Sequence, residues 1–254
     1  MVKGVDLSTY QRGVDYQALK DDGVEFAILR IGYGKDSGQM DEMFDEHYRG
    51  CKEVGIKVGA YHYSYCKAMA NAEKEAQNCL NYLEGYDLDL PVFYDLEDNS
   101  ILNAGVDVTE IALIFCDKLT NAGYDAGVYS NLNWFRKYVS PYEILNNGYK
   151  IWLAQWEVDY PTAEFPFNFW QFTDDLEVGN ISCDGNYCEE SELDSDTLPT
   201  PSDDVIELDV CKALAVDVIY GKYGNGQERK DNLGNYYDTV QDIVNDMYRI
   251  IKGE

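Results

Sequence analysis

Apolar positions in the first two thirds of the chain fall into short runs separated by longer amphipathic stretches. The runs at 3–8 (KGVDLS), 26–33 (FAILRIGY), 57–65 (KVGAYHYSY), 90–97 (LPVFYDLE), 125–131 (DAGVYSN), 150–156 (KIWLAQW) and 167–172 (FNFWQF) predict strands. Between them, stretches near 14–22, 40–54, 69–84 and 108–122 read as helices. In the last of these, Ile111, Leu113, Ile114, Cys116 and Leu119 recur at helical spacing behind Thr109, the expected cap. Gly23, Gly55 and Gly123 follow helical stretches, where a helix stops and the chain turns into the next strand. Regular strand–helix alternation implies parallel strands covered by helices. Late in this region the helices thin out, and a short loop rich in Pro and Phe joins the last two strands. The expected fold is therefore α/β, an irregular β/α barrel. An open doubly wound sheet has the same alternation, but no glycine-rich phosphate loop follows the first strand, GVDLSTY.

The pattern breaks at 191–204. SELDSDTLPTPSDD carries Pro, Ser, Thr and Asp with almost no apolar residues and reads as an acidic linker. Beyond it, 205–254 form a helical pattern of their own. Asp238 and Gln241 resemble a capping pair opening a last helix, with Val240, Ile243, Val244 and Met247 on its apolar face. The expected organisation is a domain over 1–190, the linker 191–204, and a helical module over 205–254.

Charge and cysteine usage narrow the function. The net charge is −27, and no basic residue stands between Lys150 and Lys212, which argues against nucleic acid as a partner. No stretch approaches the ~20 apolar residues of a membrane span, so no membrane partner is expected. The start, MVKGVDLSTY, has neither the basic head nor the apolar run of a signal peptide. Seven cysteines show no C-x-x-C pairing and only His47 and His62 could assist them, so neither a zinc site nor any other metal or cofactor is expected. Cys183 and Cys188 are close enough in sequence for a disulfide, although the odd total favours reduced thiols.

The chemistry centres on PVFYDLEDN. Side chains alternate along a strand, so Asp95 and Glu97 share one face and Leu96 takes the other. Like charges held that close raise one another's pKa, which is destabilising unless the pair has a use. Functional groups of a β/α barrel gather at the carboxyl ends of its strands. Asp6 lies near the end of the first strand, Asp95 and Glu97 end the fourth, and Asp184, in SCDGNYC, follows FWQF and could end the last. Aromatic residues collect at the same ends: Tyr33, Tyr61, Tyr63, Tyr65, Tyr129, Trp152, Trp156 and Trp170. Rings beside carboxylates suit a sugar, whose C–H faces stack on them.

The ordered segments GVDLSTYQ, ILRIGYG, VGAYHYSY, PVFYDLED, GVYSN, IWLAQW and FWQF resemble glycoside hydrolase family 25, the lysozymes or N-acetylmuramidases of bacteria, phages and fungi. The resemblance covers nearly all of 2–188. It implies a flattened, irregular β/α barrel and hydrolysis of the β-1,4 linkage between N-acetylmuramic acid and N-acetylglucosamine in peptidoglycan, with retention of configuration. By the same resemblance Glu97 is the general acid. Asp6, Asp95 and Asp184 hold its pKa up and stabilise the positive sugar, with Asp184 matched to the family's final aspartate. Either an aspartate or the substrate's N-acetyl group attacks the anomeric carbon. Gln171 joins Tyr33, Tyr61, Tyr63, Tyr129, Trp152, Trp156 and Trp170 as an expected substrate contact.

The tail, 214–248, resembles the small three-helix cell-wall-binding repeat of some phage lysozymes, through GKYGNG, Arg229-Lys230, Tyr237-Asp238 and Val240-Gln241. Tyr223 stands where a tryptophan is usual. The repeat implies muropeptide binding, with Tyr223, Asn225, Arg229 and Tyr237 as contacts. The expected place of action is the bacterial wall, reached by secretion or phage release. A chitinase also carries D-x-E on its fourth strand, but the further aspartates expected before it are here Val92, Phe93 and Tyr94. A glycan-binding protein without catalysis is the remaining alternative.

Overall fold

In the computed structural model, residues 1–193, 211, 214, 215, 218, 223–233 and 236–252 are described. Eight strands close into one barrel in sequence order: β1 (Val2–Leu7), β2 (Val24–Tyr33), β3 (Lys57–Tyr63), β4 (Val92–Asp95), β5 (Ala126–Asn131), β6 (Lys150–Ala154), β7 (Phe169–Val178) and β8 (Ile181–Cys188). Neighbours from β1 to β7 run parallel, whereas β8 is antiparallel to both β7 and β1. The hairpin of β7 and β8 explains the missing late helices. An antiparallel strand needs only a tight turn, here Gly179-Asn180 with Gly179 at φ 55°, where a parallel one needs a crossover helix.

The helices α1 (Tyr16–Asp21), α2 (Phe44–Glu53), α3 (Met69–Leu83), α4 (Asn99–Ala104), α5 (Val108–Asn121), α6 (Leu132–Lys137) and α7 (Pro141–Asn146) occupy the connections between β1 and β6. Four of them answer to the expected helices. The short helices α4, α6 and α7 were not expected. The cap of α5 is Asp107 rather than Thr109: its carboxylate accepts from the backbone of Thr109 and Glu110. Helices and strands bury one apolar layer between them, from Val5 and Leu29 to Phe115 and Leu153. A second cluster fills the barrel itself, with Phe26, Phe93, Trp152 and Phe169 packed edge to face at 5.3–5.7 Å. Gly4 and Gly127 make room for those rings. A Cβ on Gly4 would meet the Phe26 ring at 2.4 Å, and one on Gly127 would meet Phe93 at 2.7 Å.

All seven cysteines are buried, and Cys51, Cys66, Cys79, Cys116, Cys183 and Cys188 are free thiols. Cys183 packs in the outer layer and Cys188 in the barrel interior, on opposite faces of β8, so no bond joins them.

The chain divides into two compact units, Met1–Thr197 and Leu198–Glu254. Residues 194–204 of the expected linker lie outside the described residues. In the second unit, Cys211, Leu214, Ala215 and Val218 share a core with Leu233, Val240 and Val244. Helices Gln227–Leu233 and Tyr237–Lys252 supply the latter three. Asp238 lies in the first turn of the last helix, one residue inside it rather than at its cap. Val240 and Val244 are buried and Ile243 packs against them, while the side chain of Met247 lies outside the described residues. Among the described residues no helix is long and apolar enough to cross a membrane.

Candidate active site

A cavity of about 200 Å³ opens at the carboxyl ends of the parallel strands, and Asp6, Asp95, Glu97 and Asp184 all line it. Asp6 comes from β1 and Asp95 is the last residue of β4. Glu97 stands two residues past the end of β4, but a backbone bond from Leu96 N to Tyr129 O keeps the extended alternation going. Leu96 therefore points into the outer core and Glu97 shares the cavity side with Asp95. Asp184 is not at the end of a strand, as expected from the sequence, but in the middle of β8. Antiparallel pairing sets it directly opposite Asp6.

Two amides hold these acids. Gln171 Nε2 donates to Asp6 Oδ2 at 3.0 Å and to Asp184 Oδ2 at 2.9 Å. Its Oε1 accepts from Tyr129 Oη at 2.9 Å and Trp156 Nε1 at 3.1 Å. Asn186 Nδ2 donates to the same Asp6 Oδ2 at 2.9 Å, while its Oδ1 accepts from Trp152 Nε1 at 2.8 Å. An indole N–H only donates, so each tryptophan fixes which end of its amide faces the acids. The two buried amides thus present N–H groups to the carboxyls.

The electrostatics follow from burial and these bonds. Burial raises the Asp6 carboxyl to about 6, against donation from Asn186 and Gln171, which favours the charged form, with Glu97 pushing further up. Burial, then Asp6 and Asp174, raise Asp184 to about 7. Asp95 lies well above the usual carboxylate range through burial and then Glu97 and Asp6, and its Oδ1 has no hydrogen-bond partner among the described residues. Glu97 is raised by burial, Asp184 and Asp98, with the nearby Tyr129 hydroxyl pulling the other way. Asp6, with two donors on one oxygen, is the acid best placed to carry charge.

Of the expected aromatic contacts, Tyr61, Tyr63, Tyr129 and Trp152 line the cavity. Trp156, 43% exposed, reaches Gln171 from beyond the end of β6. Tyr33 does not line the cavity; its exposed ring lies 6.0 Å from the guanidinium of Arg30, which does. Trp170 does not belong to the site. Alternation along β7 puts Phe169 and Gln171 inside and Trp170 outside, where it packs against Phe172 and Tyr187 and donates to Gln155 O. Gln171 has all four of its amide hydrogen-bonding positions filled by protein, so it acts on the acids rather than on a free ligand.

Sequence reasoning missed Asn186, Arg30, Ser8, Tyr10 and Gln11, which also belong to this region. Asn186 could have been found two residues from Asp184, on the same face of β8, and Arg30 as the one base inside the apolar run FAILRIGY. Behind β4, the buried Glu75 of α3 accepts from Tyr94 Oη at 2.8 Å and from the backbone of Tyr65 at 3.3 Å. It ties the outer side of that strand to the loop after β3. Among the described residues no group of His, Cys, Asp and Glu is placed to hold a metal ion.

In the second unit, Arg229 donates to Gly224 O at 3.1 Å, to Asn225 Oδ1 at 3.0 Å and to Gln241 Oε1 at 3.1 Å. Lys230 lies over the Tyr237 ring at 5.2 Å. Arg229 therefore pins the Gly224–Gly226 turn to the last helix.

A β/α barrel with four carboxyls gathered at one mouth has the build of a glycoside hydrolase. The model for glycosyl hydrolases family 25 matches residues 5–181, and the chain belongs to that family. A CW_7 repeat matches residues 212–247. The chain is 29% identical over 195 residues to an autolytic lysozyme of Clostridium acetobutylicum, covering 75% of this chain and 56% of that one. It is 26% identical over 197 residues to lysozyme M1 of Streptomyces globisporus, covering 72% and 65%. It thus spans less than two thirds of either relative. Among solved structures, the endolysin CTP1L matches with TM-score 0.67 and 26% identity over 76% of this chain and 68% of that one. A bacterial lysozyme from Streptomyces coelicolor shares the fold, with TM-score 0.63 and 23% identity over 74% and 92%.

Proposed function

We propose that the protein is a lysozyme that hydrolyses the β-1,4 linkage between N-acetylmuramic acid and N-acetylglucosamine in bacterial peptidoglycan. The observation that carries this reading is one acid cavity holding two unlike carboxyls: Glu97, half-buried and partly open to the cavity, and Asp6, buried and doubly hydrogen-bonded on one oxygen. Glycoside hydrolysis needs that inequality. Glu97 donates its proton to the departing glycosidic oxygen, while negative charge held by its neighbours stabilises the oxocarbenium-like sugar. Tyr61, Tyr63, Tyr129 and Trp152 supply ring faces around the sugar.

The organisation that fits this function is a catalytic barrel over 1–190, the linker 191–204, and a wall-binding module over 205–254. Similarity to the CW_7 repeat supports the module, with Tyr223, Asn225, Arg229 and Tyr237 as its contacts to muropeptide. The site of action is the bacterial wall, and hydrolysis proceeds with retention. Clearing of a suspension of purified walls by the wild type, but not by Glu97→Gln, tests the reading. Walls left intact by the wild type overturn it.

A further inference from the structure

Arg30 is the one cationic side chain among the residues that line the acidic cavity. Its side chain is only 12% exposed, and it is held on three sides. Nε donates to Asp41 Oδ2 at 2.6 Å. Asp41, itself buried, also accepts from the backbone of Thr9 at 3.1 Å and, through Oδ1, of Met43 at 2.9 Å. The rings of Tyr10 and Tyr33 flank the guanidinium at 5.1 and 6.0 Å. Yet among the described residues neither Nη atom has a hydrogen-bond partner. The obvious protein acceptor is Asp95, whose charge Arg30 favours, but Asp95 Oδ1 is itself without a partner, so the two are not bonded through it.

The described residues leave the fork's two terminal nitrogens open to a group in the cavity that Arg30 lines. Its geometry suits a group offering two acceptor oxygens side by side, since two parallel N–H groups match a carboxylate better than any single oxygen. Of the two sugars in the proposed substrate, both carry hydroxyls and an acetamide, whose carbonyl offers one oxygen. Only the muramyl sugar carries a carboxyl, on its 3-O-lactyl ether. We infer that Arg30 reads the lactyl carboxyl and makes the cavity select muramyl glycans over glycans of N-acetylglucosamine alone. The inference rests on the proposed substrate and deepens it. It has a consequence for the wall: a lactyl carboxyl freed of its peptide presents two oxygens to Arg30, an amide-linked one only one, so stripped glycan binds more tightly.

The experiment uses the full chain carrying Glu97→Gln, which binds without turnover, titrated calorimetrically with two soluble disaccharides. One is N-acetylglucosaminyl-N-acetylmuramic acid with its lactyl carboxyl free, the other is chitobiose. A charge-assisted hydrogen-bonded pair predicts a preference of ~10-fold or more for the muramyl ligand. Adding Arg30→Gln should bring the ratio to near one. Adding Arg30→Lys, which keeps the charge beside Asp41 but loses the fork, should reduce it several-fold. Equal affinities in the Glu97→Gln parent, or a preference that survives Arg30→Gln, overturn the inference. If Arg30→Gln does not fold, an undiminished preference in Arg30→Lys does the same. Failure of the lysozyme reading shows separately, as purified walls that the wild type leaves intact.

Discussion

Asp6 and Asp184 stand directly opposite each other across the antiparallel β1–β8 pair, and a single nitrogen, Nε2 of Gln171, donates to both, at 3.0 and 2.9 Å. Like charges at directly opposed positions destabilise a sheet. The pair is kept because the amide gives each carboxyl a donor and because a proton can sit on one of them.

That arrangement predicts a pH-dependent stability. The folded-state values, about 6 for Asp6 and about 7 for Asp184, lie above the ordinary 3.8. Over that window the folded chain keeps protons that the unfolded chain has released. The contribution to stability is thus fully present below 3.8 and lost as pH rises through about 7. Asp184→Asn removes part of that loss. Its melting temperature relative to wild type should improve steadily from pH 4 to pH 8, at ~2–4 °C per kcal/mol for a chain of this size. A difference independent of pH would contradict the raised values.

Gln171→Leu should lower kcat and move the acidic limb of the rate profile toward higher pH. Donation from Gln171 favours the charged form of Asp6, so its removal raises the pH at which Asp6 ionises. Comparing kcat against pH for the two proteins checks this. A loss of rate with an unmoved profile would mean that Gln171 only supports the barrel.

Much of this site could be read from residue types and alternation. D-x-E on one face, the aromatic strand ends and the run of alternating elements were legible because each is a local pattern. The hairpin was not. ISCDGNYC has neither a long apolar run nor strong alternation, so Asp184 read as ending the last strand rather than as lying in the middle of one. Only barrel closure, which is non-local, places it beside Asp6. Trp170 failed for the opposite reason. Its strand was legible but its face was not, because both faces of β7 are apolar at that point. The division of labour between Gln171 and a substrate contact likewise depends on partners from β1 and β5, far off in sequence, and from β8 across the unforeseen hairpin.

Removal of residues 205–254 should reduce activity on intact walls more than on short soluble glycans. A tethered binding module raises the local concentration of the barrel at an insoluble surface and adds nothing for a fragment that diffuses freely. Initial rates on both substrates, with and without the tail, make the comparison. Equal losses would point to a structural role for it.

The net charge of −27 predicts repulsion from anionic walls. Screening shortens that repulsion, from a Debye length of ~30 Å at 0.01 M salt to ~10 Å at 0.1 M. The initial rate of lysis should therefore rise from very low to moderate ionic strength. A steep fall over the same range would show that attraction governs the approach.

The central claim is that Glu97 protonates the glycosidic oxygen of a muramyl linkage. The direct measurement is mass spectrometry, after borohydride reduction, of the fragments released from purified peptidoglycan by the wild type and by Glu97→Gln. New reducing ends should be N-acetylmuramic acid, and the variant should release them ~10²–10⁴-fold more slowly while keeping the wild-type fold. Reducing ends of N-acetylglucosamine, or a variant as fast as the wild type, would contradict the account.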